Sequence, residues 1–251
     1  MLESIKKIFE SGTIQNSDGT FIPLHSNTSM EQGIFLQKMF DIVKPKKSLE
    51  VGFAYGISSL FILEKHRENG SNDGAHMVIE PDDYWGTAAV HNIEKEGLLK
   101  YLQIHRDYSD KILPKLYFEN YRIQFAYIDT TKQFDVVMQD FYFINKVLDV
   151  GGVIILDDCG GAWPGIQRVA RFINTLPHYK ILAKHSKISS KVLKTLTAKF
   201  QSAALSILPF KKKIYPTLNF KTDIEMGLNF NCIAFQKIEE DSRNWDWDKP
   251  F

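Results

Sequence analysis

Short apolar runs alternate along this chain with longer segments in which apolar residues recur every three or four positions. Such alternation is typical of strands that take turns with helices, and it predicts right-handed βαβ units around a mainly parallel sheet. Five runs carry the pattern: SLEVG (48–52), HMVIE (76–80), YLQIH (101–105), IQFAYID (123–129) and GVIILDD (152–158). We therefore predict a doubly wound α/β fold.

Two more apolar runs, YKILAK (179–184) and LNFNCIAFQKIE (228–239), follow a predicted helix that begins near Pro164. The last run alternates polar and apolar residues, as a strand near a sheet edge does. Together the runs predict about seven strands, mostly parallel, with an antiparallel last strand. The 251 residues suit one well-buried domain, and we predict a single domain with an N-terminal helical segment at 1–47.

The segment between His178 and Thr222 contains ten lysines and no acidic residue, although the whole chain has a formal net charge of only +1. We predict a basic helical insertion at 185–222, with an amphipathic helix over 187–208. It could act as a lid over the site, contact an anionic membrane surface through 187–213, or contact another subunit or a nucleic acid. A solvated helix face is the simplest alternative.

The cysteine content and the N-terminal residues favour a soluble, cytoplasmic protein. Cys159 and Cys232 are too few for a disulfide framework. The first residues, MLESIKKIFESGTIQNSDG, include acids and no long apolar core, so we expect no signal peptide. No stretch approaches the roughly 20 apolar residues of a membrane-spanning helix.

In open α/β sheets, ligands bind at the carboxyl ends of the strands, and residues there indicate the ligand. After the first run, Gly52 and Gly56 form a Gly-x-x-x-Gly turn, and Ala54 and Ile57 replace the glycines that a dinucleotide fingerprint would need. Glu80, at the end of the second run, can accept both hydroxyls of a ribose. These features indicate a nucleoside-bearing ligand without a diphosphate.

Three carboxylates end two other strands: Asp129 ends one run, and Asp157 with Asp158 ends another. If these strands are neighbours, the acids converge, and a hard divalent cation, Mg²⁺ above all, would relieve their repulsion. The alternative is that one aspartate caps the next turn while the others are solvated or contact a cofactor. Beside a metal-bound hydroxyl, Lys132 could have a depressed pKa and act as the base.

Five segments of the chain form an ordered set: TSMEQGIFL, LEVGFAYGISSL, VIEPD, YIDTTKQF with the Asp140 that follows, and VGGVIILDD. In this order they resemble class I S-adenosylmethionine-dependent methyltransferases. Within that class they are similar to the caffeoyl-CoA, catechol and macrolide-sugar type of small-molecule O-methyltransferases, over roughly residues 26–175.

The resemblance implies a Rossmann-like fold and a set of cofactor contacts. Residues around the methionine half of the cofactor would be Thr28, Glu50, Gly52, Phe53 and Ser58, with Gly56 in the same turn. Glu80 would hold the ribose and Ser109 the adenine, although Asp107 stands where the family has glycine. It also implies that Asp129, Asp157 and Asp158 bind a catalytic metal and that Lys132 takes the proton.

The resulting hypothesis is an S-adenosylmethionine-dependent O-methyltransferase that acts on a hydroxylated small molecule with help from a divalent cation. The alternative is a catalytically silent protein of the same fold that uses its basic segment for a membrane or protein partner. Thr131, which departs from the pattern of bacterial relatives, favours the alternative. We expect no nucleic acid partner, and relatives of this type are often homodimers.

Overall fold

A central seven-stranded sheet organises the computed structural model, which describes residues 1–25, 27–82, 84–160, 162–187 and 221–251. Its strands are β3 (Ser48–Val51), β4 (His76–Ile79), β5 (Leu102–His105), β6 (Ile123–Ile128), β7 (Leu148–Leu156), β8 (Tyr179–Lys187) and β9 (Phe230–Lys237). They lie in the order β5-β4-β3-β6-β7-β9-β8. All seven sequence-predicted strands are therefore present.

Strand direction also agrees with the sequence-based prediction. Strands β3 to β7 pair with one another in parallel. The last strand, β9, pairs antiparallel with both β7 and β8, so β8 at the edge runs in the common direction. The prediction of a mostly parallel, Rossmann-like sheet with an antiparallel last strand is confirmed.

Helices cover both faces of the sheet, as a doubly wound fold requires. The helices are α1 (Glu3–Ser11), α2 (Met30–Val43), α3 (Ile57–Glu68), α4 (Gly86–Lys95), α5 (Ser109–Phe118), α6 (Phe134–Val147) and α7 (Pro164–Thr175). Buried side chains of α5, α6 and α7 pack on one face of the sheet. Those of α1 to α4 pack on the other.

The N-terminal segment at 1–47 contains a hairpin as well as helices. The hairpin joins β1 (Thr13–Gln15) to β2 (Phe21–Pro23) and was not predicted, because three-residue strands carry almost no periodic signal. Helix α2 begins with a capping box, in which the hydroxyl of Ser29 accepts from the backbone N–H of Gln32 and the Gln32 side chain accepts from that of Ser29.

The basic insertion falls largely outside the described residues. Strand β8 continues to Lys187, so the described chain is still strand at 185–187, where the insertion was predicted to begin. The predicted amphipathic helix over 187–208 therefore lies almost wholly in the part left undescribed, and it stays a prediction. Among the described helices, none is both long and apolar enough to cross a membrane.

Asp140 on α6 is a buried carboxylic acid. Neither of its carboxyl oxygens has a hydrogen-bond partner of normal geometry among the described residues. Burial raises the pKa of Asp140 to about 6, and the nearby hydroxyl of Ser109 offsets this only in part. The folded protein holds the carboxyl proton of Asp140 more tightly than the unfolded chain does. The contribution of protonated Asp140 to stability is therefore present below about pH 4 and is lost as the pH rises towards 6.

We expect Asp140→Asn to stabilise the protein at pH 7.5 by up to about 3 kcal/mol, since the amide needs no ionisation in the core. Urea unfolding at pH 3.5, 5 and 7.5 should show the gain only at the higher pH values. Asp135→Asn, at an exposed position of the same helix, is the control and should change stability little. A loss of stability in Asp140→Asn at pH 7.5 would contradict the prediction.

Candidate active site

The residue after each of four neighbouring strands continues the ladder by one backbone hydrogen bond. Gly52 donates to Ile79, and Asp129 donates to Val51, each over 3.0 Å. In the same way, Glu80 donates to His105 at the end of β5 and Asp157 donates to Ile128 at the end of β6, each over 3.1 Å. The strand order reverses at β3, so these residues meet at the switch point where open α/β sheets bind ligands.

The glycine turn after β3 is in close contact with the end of β6, the neighbouring strand in the sheet. Gly52 has φ +95°, and a Cβ there would lie 2.0 Å from the carbonyl oxygen of Asp129. Ala54 adopts φ 41°, a conformation that costs energy for a residue other than glycine. The turn opens on a cleft lined by Asn27, Thr28, Gly52, Phe53, Ala54, Tyr55, Ile57, Ser58 and Asp129. Of the predicted cofactor residues, Thr28, Gly52, Phe53 and Ser58 thus share one cleft.

The carboxylate of Glu80 is fixed against this turn. One oxygen accepts from the backbone N–H of Phe53 over 2.9 Å, and the other accepts from that of Asp82 over 3.0 Å. The carboxylate therefore has a defined orientation beside the cleft, and its remaining lone pairs can accept from the hydroxyls of a ribose.

Glu50 lies beneath the cleft and does not line it. Its side chain is fully buried and accepts from the hydroxyls of Ser58 and Ser59 and, over 3.0 Å, from Nε2 of His76. Because Ser58 faces the cleft, Glu50 acts on it through that serine. The structure thus differs from the direct contact with the methionine half that the resemblance implies.

The hydrogen bonds continue from His76 away from the cleft. Oγ of Ser48 lies 2.8 Å from Nδ1 of His76 and 2.7 Å from Nε2 of His66, so the serine hydroxyl links the two rings by hydrogen bonds. The other ring nitrogen of His66, Nδ1, lies 2.8 Å from the hydroxyl of Ser71. Burial, with a smaller electrostatic effect of the neighbouring His76, lowers the pKa of His66 to about 3, so the His66 ring is neutral at neutral pH.

Gly56 and Ser109 lie around the cleft without lining it. Gly56 precedes α3 with φ 66°, and its Cβ would lie 2.8 Å from Ala89, so it permits close packing against α4. Ser109 begins α5 at the same sheet edge, with its hydroxyl near Asp140. Asp107 accepts from the backbone of Tyr108 and from Lys111, which fixes the start of that helix.

Asp157 and Asp158, adjacent in sequence, have separate environments. The chain reverses at Asp158, which adopts φ 53° and donates its backbone N–H to the side chain of Asp157. Asp157 is 5 % exposed and also accepts from four side chains. These donors are Gln32 of α2, Tyr127 of β6, and Asn231 and Cys232 of β9, at 2.9–3.0 Å. Its lone pairs are therefore occupied by donors from within the fold.

Lys132 lies between the other two carboxylates. Its Nζ is 2.8 Å from Oδ1 of Asp129 and 3.1 Å from Oδ2 of Asp158, and its side chain is only 16 % exposed. The loop that carries Lys132 also packs closely against α7. A Cβ on Gly165 of α7 would lie 2.2 Å from the backbone oxygen of Lys132, so only glycine allows this approach. The ammonium is thus held by two ion pairs, and the backbone that carries it is held by packing against α7.

The predicted three-carboxylate metal cluster does not form. Asp157 is saturated by neutral donors, and a lysine occupies the space between Asp129 and Asp158. Across the described ranges, no group of three or more His, Cys, Asp or Glu side chains is arranged to hold a metal ion. As arranged, these side chains do not fit Mg²⁺, because a cation in reach of Asp129 and Asp158 would lie beside an ammonium of the same charge.

The charges around Lys132 favour its ammonium form. Burial acts to lower the pKa of Lys132, but the charges of Asp129 and Asp158 outweigh burial and raise the pKa above its usual value. Burial and then the charge of Asp157 raise the pKa of Asp129 to about 6, against the opposing effect of Lys132. Lys132 is therefore charged at neutral pH in this arrangement, and its role as a base beside a metal-bound hydroxyl stays a prediction.

Residues 49–159 match the sequence profile of a family described as a methyltransferase domain. This segment is therefore similar to a methyltransferase domain. It runs from the first strand of the parallel sheet to the residue after the Asp157–Asp158 pair, so it contains the glycine turn, Glu80 and Lys132. This match and the fold agree with the resemblance to class I S-adenosylmethionine-dependent methyltransferases. No protein with a curated function matches the chain in sequence.

Several solved structures are similar to this chain in fold. The O-methyltransferase from Bacillus cereus in complex with SAH is 21 % identical, with a TM-score of 0.58 over 74 % of this chain and 86 % of that one. TomG from Streptomyces achromogenes, an O-methyltransferase of tomaymycin synthesis in complex with SAM, is 15 % identical, with a TM-score of 0.59 over 74 % and 84 %. The SAH-bound methyltransferase PaMTH1 from Podospora anserina is 15 % identical, with a TM-score of 0.58 over 72 % and 83 %.

Sequence reasoning missed the residues that surround Asp157. Gln32 falls within the TSMEQGIFL segment, whose capping-box spacing was the only available signal. Tyr127 was counted as part of a strand, and Asn231 lies on β9, far along the chain. No local pattern connects these side chains to Asp157.

Proposed function

We propose that the protein is an S-adenosylmethionine-dependent O-methyltransferase that transfers a methyl group to a hydroxyl of a small molecule. The observation that carries the proposal is the Glu80 carboxylate, held against the Gly52–Phe53 turn inside the methyltransferase domain. This pairing suits a ligand with a ribose and no diphosphate. Two structural neighbours named O-methyltransferases add support for oxygen as the acceptor atom.

The cleft residues fit the cofactor by their chemistry. Thr28 and Ser58 offer hydroxyls near the turn, and the absence of a side chain on Gly52 lets its backbone come close to a ligand. When bound, the cofactor supplies a methyl group on a positively charged sulfur. Asp129 lines the same cleft and can face that charge.

The reaction needs little covalent chemistry from the protein. The substrate oxygen forms a bond to the methyl carbon, the carbon–sulfur bond breaks with its electron pair going to sulfur, and the hydroxyl proton leaves. The Asp129 carboxylate lines the cleft and would take that proton. The protein's contribution is to hold the oxygen in line with the methyl group. We derive no step through a divalent cation, because the side chains do not fit one.

Isothermal titration calorimetry with S-adenosylmethionine tests this proposal. We expect the wild-type protein to bind the cofactor, and Glu80→Gln to bind it at least about tenfold more weakly, because a carboxylate that accepts two hydroxyls is replaced by an amide that accepts fewer. Glu94→Gln, at an exposed position of α4, is the control and should bind like the wild type.

The outcome also distinguishes the two functional hypotheses. Absence of cofactor binding at millimolar concentration would contradict the methyltransferase proposal and favour a silent protein of the same fold. In that case the basic segment at 185–222 would be the place to seek a partner.

A further inference from the structure

A positive charge is required where Asp129 and Asp158 approach each other. Two carboxylates held near one point repel, and their repulsion must be offset for both to stay ionised. The structure provides the charge from within the chain, since Nζ of Lys132 lies 2.8 Å from Asp129 and 3.1 Å from Asp158.

We propose that the ammonium group of Lys132 holds the position that a divalent cation occupies in metal-assisted methyltransferases, so that this protein binds its substrate oxygen through Lys132 without a metal ion. The proposal rests on the proposed methyl transfer for its chemical meaning. Its geometric part, that a lysine fills the cation position, stands on contacts within the chain.

The third predicted ligand supports the same conclusion independently. The Asp157 carboxylate accepts hydrogen bonds from one backbone N–H and from side chains of α2, β6 and β9. These hydrogen bonds would have to break before the carboxylate could turn towards a metal ion. Burial and the nearby carboxylates Asp129 and Asp157 keep the pKa of Tyr127 well above its usual value, so this donor retains its proton. The Asp157 carboxylate is therefore used by hydrogen bonds within the fold and is not available to a metal ion.

Lys132 can also perform the binding part of the metal's role. An ammonium has three N–H bonds, and in the described part of the chain two of them are directed at Asp129 and Asp158. The third is left for a substrate oxygen. A hydroxylate held there would be stabilised by a fixed positive charge in a partly dehydrated site. The close approach of Gly165 to the backbone of Lys132 keeps that charge in place.

A titration with Mn²⁺, followed by electron paramagnetic resonance of the free ion, tests the proposal on the full-length protein. The wild type and Lys132→Arg, which keeps the charge, should show no specific binding at millimolar Mn²⁺. Lys132→Ala frees two carboxylates and should bind Mn²⁺ at least about tenfold more tightly than the wild type. Circular dichroism and calorimetry with S-adenosylmethionine on the same samples report whether each variant is folded and binds cofactor.

Three outcomes of these measurements would overturn either the lysine proposal or the proposed function. Stoichiometric Mn²⁺ binding by the wild type would overturn the proposal, and this measurement needs no variant to fold. A folded Lys132→Ala protein that gains no affinity for Mn²⁺ would also overturn it, because the lysine would then not be what excludes the ion. Failure of the wild type to bind S-adenosylmethionine would instead count against the proposed function, whatever the Mn²⁺ titration shows.

Discussion

Gly52→Ala is expected to destroy the site and to destabilise the protein by about 4 kcal/mol or more, among the largest effects of a single substitution. The added Cβ would lie 2.0 Å from the carbonyl oxygen of Asp129 and 2.9 Å from its carbonyl carbon, and neither atom can move without separating β3 from β6. Thermal and urea unfolding measure the loss of stability, and calorimetry measures the loss of S-adenosylmethionine binding.

Gly151→Ala is the matched control for the backbone conformation. Gly151 has φ +88°, close to the +95° of Gly52, but a Cβ there would meet nothing within 4 Å. It should therefore show only the cost of the left-handed conformation, about 1–2 kcal/mol. Equal effects of the two substitutions would show that conformation, and not the contact with Asp129, makes Gly52 necessary.

Asp157→Ala is expected to lower the free energy of unfolding by about 3–5 kcal/mol, because it leaves several buried donors without an acceptor. The donors include the hydroxyl of Tyr127 and the side-chain amides of Gln32 and Asn231, which join α2, β6 and β9 to the end of β7. Urea unfolding at neutral pH measures the loss.

The neighbouring residue provides the comparison for Asp157. The side chain of Asp158 is 35 % exposed and pairs with Lys132, so Asp158→Ala should cost about 1–2 kcal/mol, part of it for alanine at φ 53°. Because Asp158 is one of the two carboxylates that hold the Lys132 ammonium, Asp158→Ala should change substrate binding more than it changes the free energy of unfolding. If the two substitutions prove equally destabilising, Asp157 does not hold the strands together as the contacts indicate.

The sequence predicted the sheet well because the pattern that defines it is local. A fully buried strand such as VIIL at 153–156 has to be apolar throughout, and a helix that covers a sheet has to repeat every three or four residues. The positions of Gly52, Glu80, Asp129 and Asp157 at one sheet edge followed from the strands alone. Four of the cofactor residues that the resemblance implies, Thr28, Gly52, Phe53 and Ser58, line one cleft, whereas Glu50 lies beneath it.

The chemistry of the carboxylates was not predictable in this way. Asp157 and Asp158 look equivalent in the chain, and the sequence suggested that both face a metal with Asp129. Their roles diverge because the donors to Asp157 come from positions 125, 30 and 74 residues away in the sequence. No spacing rule connects residues that meet only when α2 and β9 pack on either side of β7.

The amino-acid sequence by itself determined the order of strands and helices, the similarity of residues 49–159 to a methyltransferase domain and the edge of the sheet at which the strand-end acids lie, since each follows from periodicity or from residues adjacent along the chain. Only the tertiary structure decided which charges meet. Burial removes Asp157 from the site by surrounding it with donors, and the packing of α7 against the loop after β6 brings the Lys132 ammonium between Asp129 and Asp158. Electrostatic partners are set by distance in space, and that distance is fixed only when all the elements have docked.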